Sequence, residues 1–146
     1  MNLRKVLASC SLILILTLLF AVLVMAQMNP VGRFKGVNIP VNLKIKDKIL
    51  EKGVYDLDFL RTSSPILYFV RIMKSGKILD LVQGEEWPYG TGIVSDIADN
   101  RDIPDKPTLK MAKNTDEKLF IVIFESGRWT GKYPMVRAKY KIQYEE

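Results

Sequence analysis

The chain has 146 residues, with 22 basic side chains against 16 acidic ones, no histidine, one cysteine and a formal net charge of +6. Without histidine, and with Cys10 inside an apolar N-terminal stretch, it excludes Ser-His-Asp and Cys-His nucleophilic machinery and every Cys/His zinc site. It also lacks the side chain best suited to proton transfer near neutral pH, so any chemistry falls to carboxylates, lysines or tyrosines.

Arg4 and Lys5 open the chain, Val6 to Ala26 holds no charge, and Val24-Met25-Ala26 precedes Gln27 as a signal-peptidase site requires. Residues 1–26 are therefore expected to form a hydrophobic leader helix that directs export, to a periplasmic or extracellular location. The stretch also matches the roughly 20 apolar residues that span a bilayer, so an uncleaved anchor over residues 6–26 is the alternative. Leu7-Ala8-Ser9-Cys10 has the residue types of a lipoprotein lipobox, but most of the apolar stretch follows the cysteine, which argues against lipidation. What remains, Gln27 to Glu146, is one domain's worth of chain. It can bury a core without disulfides but is small for a complex enzyme. Its mild cationic excess favours anionic neighbours such as envelope polymers or lipid headgroups.

Residues 27–40 read as an irregular segment, punctuated by Pro30, Gly32, Gly36 and Pro40. From residue 41 the period is two. Val41, Leu43 and Ile45 alternate with Asn42, Lys44 and Lys46, and Tyr55, Leu57 and Phe59 alternate with Asp56 and Asp58. Ser63-Ser64-Pro65 marks a turn. Ile66–Met73 and Ile78–Gln83 then flank Ser75-Gly76 as a hairpin. A two-residue turn sets Arg71 opposite Asp80, Val70 opposite Leu81 and Ile72 opposite Leu79. After a long polar connection over 84–107, Thr108–Ala112 and Leu119–Glu125 make a second hairpin. Its Leu119–Phe124 run has no polar interruption and is expected to be a central strand covered on both faces. Val136, Ala138, Tyr140, Ile142 and Tyr144 alternate with Arg137, Lys139, Lys141 and Gln143 in the last strand.

About seven strands and no amphipathic helix after the leader predict an all-β fold, a small antiparallel barrel or sandwich over residues 41–146. Transmembrane strands need about 9–11 residues with one wholly apolar face; only the last strand reaches that length and the 119–124 run lacks the polar inner face, so an outer-membrane barrel is disfavoured. The segment from Ile39-Pro40 to Leu50-Glu51-Lys52-Gly53-Val54-Tyr55 resembles a module of small exported bacterial β-proteins of uncharacterised function. Those carry a proline before the first strand and a Leu-Pro-Ala-Gly-x-Tyr segment; Leu50, Gly53 and Tyr55 match, and Glu51-Lys52 replace Pro-Ala. The resemblance implies an exported β-barrel and carries over no functional residue.

Candidate binding residues lie in two aromatic loops: Trp87 and Tyr89 beside Gly90 and Gly92, and Arg128, Trp129, Lys132 and Tyr133 beside Gly127 and Gly131. Aromatic faces on loops stack on sugars, and the charges suit an acidic glycan or an anionic lipid headgroup; the plainer reading is that the rings plug the ends of the barrel. Asp96, Asp99, Asp102 and Asp105 match no calcium loop, and Arg101 and Lys106 lie among them, so no metal or other cofactor is expected. Lys44, Lys46 and Lys48 share one side of the first strand, and Arg137, Lys139 and Lys141 one side of the last. If these strands are neighbours they form a cationic surface for an anionic polymer or membrane, and otherwise a solvated face that discourages aggregation. Nucleic acid is not an expected partner of an exported chain, and contact with a membrane is expected only through an uncleaved leader. The domain is thus expected to be a non-enzymatic binding or interaction module. The alternative is a glycan hydrolase built on Glu85 or Glu86 with Asp96 or Asp99, although adjacent strand residues point to opposite faces.

Overall fold

The period-two pattern becomes nine strands in the computed structural model, which describes residues 13, 15–17, 19, 28–87, 104–127 and 136–146. They are β1 (Asn29–Ile39), β2 (Asn42–Ile45), β3 (Lys48–Leu50), β4 (Gly53–Arg61), β5 (Tyr68–Lys74), β6 (Lys77–Glu86), β7 (Thr108–Asn114), β8 (Leu119–Glu125) and β9 (Arg137–Glu145). All pairings are antiparallel. The order β1-β4-β5-β6-β9-β2-β3 curls into a half-barrel, and β8 and then β7 join β9 on its other edge. In the apolar N-terminal stretch the described residues are helical, with Ile13, Ile15, Leu16 and Leu19 exposed; among the described residues no helix is long and apolar enough to cross a membrane.

Alternate residues of the central strands build the core. Leu57 and Phe59 of β4, Val70 and Ile72 of β5, Phe120, Val122 and Phe124 of β8, and Ala138, Tyr140 and Ile142 of β9 are all buried. At the centre Phe59 and Phe124 stack with centroids 4.3 Å apart and planes 6° apart, while Phe34 meets both edge-on at 6.0 and 6.2 Å. Such pairs add about 0.5–1.5 kcal/mol each beyond their buried area.

Three expectations need correction. The segment expected to be irregular forms β1. Its pairing with β4 shifts between Pro30 and Gly32 and again between Phe34 and Val37, so proline and the positive-φ Gly36 fall at irregularities of an edge strand, where they are tolerated. The β5–β6 turn is Ser75-Gly76, both at positive φ, and the expected register holds for Lys74–Lys77 and Met73–Ile78. A bulge then slips it by one, so Arg71 faces Leu81 and Ile72 faces Asp80. The extra residue lets Leu79 pack against the core. Finally, β8 is central in pairing but covered on one face only. Ile121 and Ile123 are half-buried on the other, where Ile123 lies between Lys110 and Lys139, whose aliphatic stems shelter it.

Arg71 finds its carboxylate on β4 instead. Asp58, 2 % exposed, accepts hydrogen bonds from Arg71 Nη2 at 2.7 Å, Arg33 Nη2 at 2.7 Å and Arg33 Nε. Burial pulls this carboxyl up, but the hydrogen bonds and charges of the two guanidinium groups outweigh it and hold Asp58 below the usual carboxylate range.

Candidate functional site

The sheet forks. β6 and β9 pair at Glu85–Lys139 and Glu86–Ala138, after which β9 takes β2 as its neighbour through Lys44–Gln143, Leu43–Tyr144 and Asn42–Glu145. The β2–β3 hairpin is thereby wedged between β6 and β9. On the β6 side Lys48 holds it, its ammonium 3.4 Å from the Leu79 carbonyl oxygen and 3.8 Å from the Asp80 carboxylate.

Between the crotch of the fork and the tip of the wedge lie two adjoining clefts. The upper, about 280 Å³, is lined by Gln83, Gly84 and Glu85 of β6 and by Lys139 and Lys141 of β9. The lower, about 310 Å³, has Leu81–Gln83 on one wall and Lys141–Gln143 with Lys44–Lys46 on the other. Buried Ile45 and Ile142 give it an apolar floor, and Lys44, Lys46 and Lys141 a cationic rim. The crotch is tight because residue 84 has no side chain there: a Cβ would lie 2.9 Å from the Lys139 carbonyl oxygen.

Across both clefts four lysines face one carboxylate, Glu85. Lys141 pairs with Glu85 at 3.1 Å and Lys44 with Glu145 at 3.2 Å. Among the described residues no carboxylate pairs with Lys46 or Lys139. The strands expected to unite their basic faces are thus neighbours, with Lys44 on β2 and Lys139 and Lys141 on β9. Lys48 belongs to β3 and turns to Asp80.

Trp87 closes the upper end. Its backbone N–H donates to the Arg137 carbonyl at 2.8 Å, the Arg137 guanidinium lies 4.0 Å from the ring centroid, and the Lys139 ammonium lies 5.2 Å from it. Such contacts are worth about 0.5–1 kcal/mol at exposed sites. Arg137 is steadied from the other side by Glu125, buried between Arg137 Nε at 3.5 Å and Lys110 Nζ at 3.4 Å. The indole is half-buried at a strand end and outside the core cluster.

The other expected binding residues, Tyr89, Arg128, Trp129, Lys132 and Tyr133, lie outside the described residues, as do Asp96, Asp99 and Asp102. β6 and β8 both run against β9, so Trp87 and Gly127 lie at the same end of the sheet. Among the described residues no group of three or more His, Cys, Asp or Glu side chains is placed to hold a metal. Glu85 pairs with Lys141 outside the sheet, whereas Glu86 lies near the buried Tyr68; burial, and then the charge of Glu86, push that phenol's pKa up. Arg137 and Lys139 as partners of Trp87 have no local sequence signal, since they depend on which strand lies beside β6. Comparison with protein-family models, curated proteins and solved structures finds no match to this chain.

Proposed function

We propose that the protein is an exported, non-enzymatic binding module that takes an anionic envelope or extracellular ligand into the forked cleft. The observation carrying this reading is the excess of lysines over carboxylates in a gap where β6 has parted from its neighbour. Concave sites with an apolar floor and a few convergent polar groups are where ligands usually bind. Lys46 and Lys139, which have no carboxylate partner among the described residues, supply the charge, and Trp87 supplies a flat ring for sugar or polyol carbons. A binder fits better than the hydrolase alternative, because Glu85 is engaged by Lys141 and Glu86 lies toward Tyr68.

The test is a titration of intrinsic tryptophan fluorescence with anionic and neutral glycans and with anionic vesicles. Anionic ligands should shift the signal, and Lys139→Gln with Lys141→Gln should abolish that shift while the fold persists. Equal binding of neutral ligands, or an unchanged double variant, would sink the reading.

A further inference from the structure

The cations of β9 recur at every second residue. Lys139 and Lys141 share its outer face, and at the next step stands Gln143, whose cross-strand partner is Lys44. The row therefore continues sideways onto the wedge. A strand rises about 3.3 Å per residue, which spaces Lys139 and Lys141 about 6.6 Å apart, and Lys44, one strand over at the level of Gln143, stands about 8 Å from Lys141. Glu85 and Glu145 flank the row, each half-exposed and each holding one lysine. Exposed pairs of this kind are worth only about 0–1 kcal/mol, so an incoming polyanion displaces them at little cost. At the upper end Arg137, held by Glu125, keeps the Trp87 ring in place.

A small isolated anion engages one or two of these lysines, whereas a row that runs along β9 and onto β2 suits a chain whose own charges repeat at a comparable interval. Resting on the anion-binding reading above, we propose that the ligand is a linear polyol-phosphate chain lying along β9, with successive phosphodiesters on Lys139, Lys141 and Lys44. In three-carbon polyols joined through phosphodiesters, the backbone bonds from one phosphorus to the next equal in number those between alternate Cα atoms of a polypeptide. The two extended repeats are therefore similar in length, so phosphodiesters in succession meet Lys139 and Lys141, and the long Lys44 side chain reaches the next from the neighbouring strand. A polyuronate places its charges on rigid rings of another repeat and falls out of step after the first contacts. The Trp87 ring packs against the polyol carbons at the end of the row.

Calorimetric titration of the purified protein with glycerol phosphate and with poly(glycerol phosphate) of increasing length tests this. Affinity should climb with length until about three phosphates are engaged and then level off, as linked contacts add through effective concentration. The slope of log K against log salt should be about −2, near −0.7 for each phosphate. Lys139→Gln, Lys141→Gln and Lys44→Gln should each reduce that slope by about 0.7, with Lys77→Gln, beside the β5–β6 turn, leaving it unchanged. A monomer that binds as tightly as the polymer, or polygalacturonate that binds with the same affinity and slope, would overturn the polymer proposal while the anion site stands. If no anion binds, both readings fall.

Discussion

Tyr140 occupies the space that a side chain at Gly84 would need: a Cβ there would lie 2.5 Å from the ring. The phenol is anchored, with its hydroxyl 3.3 Å from the Phe69 carbonyl oxygen, and the Lys139 backbone closes the other side. Neither neighbour yields freely. Gly84→Ala should therefore cost about 1–3 kcal/mol and spread the crotch of the fork. Urea unfolding measures the cost, and hydrogen exchange at the Glu85 and Glu86 amides reports the spreading. A loss below about 0.5 kcal/mol, typical of an exposed site, would mean that the ring moves aside.

The stack of Phe59 on Phe124 joins β4 to β8 through the middle of the core, and both rings are fully buried. Phe124→Ala should cost about 3–5 kcal/mol, combining lost transfer energy with the cavity left behind. Chemical denaturation checks this; a cost below about 1 kcal/mol would place the ring at the surface.

Asp58 makes stability depend on acid. Its folded pKa lies below the unfolded value, so its contribution is present at neutral pH and is lost as pH falls through the folded value, beneath the ordinary carboxylate range. Wild type should lose thermal stability through that window, and Asp58→Asn should flatten this part of the profile. The substitution should also cost about 1–3 kcal/mol at neutral pH, because Arg33 and Arg71 lose their shared partner, although both reach solvent. A profile unchanged by Asp58→Asn would assign the acid sensitivity to other carboxylates.

For the leader, the basic start and Val24-Met25-Ala26 predict a processed chain beginning at Gln27. N-terminal sequencing of protein from the host envelope fraction checks this, and intact Met1 in a membrane pellet would establish the anchor instead.

The all-β fold was legible wherever burial follows local alternation, as at Tyr55, Leu57 and Phe59 or along β9. Prolines and glycines hid β1, because a bulged edge strand tolerates the residues that otherwise mark loops. No residue type announced the bulge beside Leu79; the slip follows from the core accepting that side chain, a tertiary demand. The cleft was legible only in its parts. Basic alternation was visible on both strands, but their adjacency depends on a pairing between residues 42–44 and 143–145 that nothing local encodes. The Asp58 cluster likewise joins positions 33, 58 and 71 from three strands, so Asp58 looked like an ordinary solvent-facing carboxylate.

β9 is the hub of the sheet, hydrogen-bonded to β8 on one edge and to β6 and then β2 on the other. Among the described strands it also comes last in chain order, whereas β2 comes second. The wedge and its cleft therefore cannot assemble progressively from the N-terminus. While the chain is being synthesised, β2 waits without its partner until residues 143–145 have been made. Pairings of such long sequence separation slow folding and leave strand edges uncovered in the interim. During that interval Lys44 and Lys46 keep an unpaired strand charged, which hinders it from joining the same strand of another molecule. The lysines that rim the cleft in the finished domain thus also guard the chain before the domain exists.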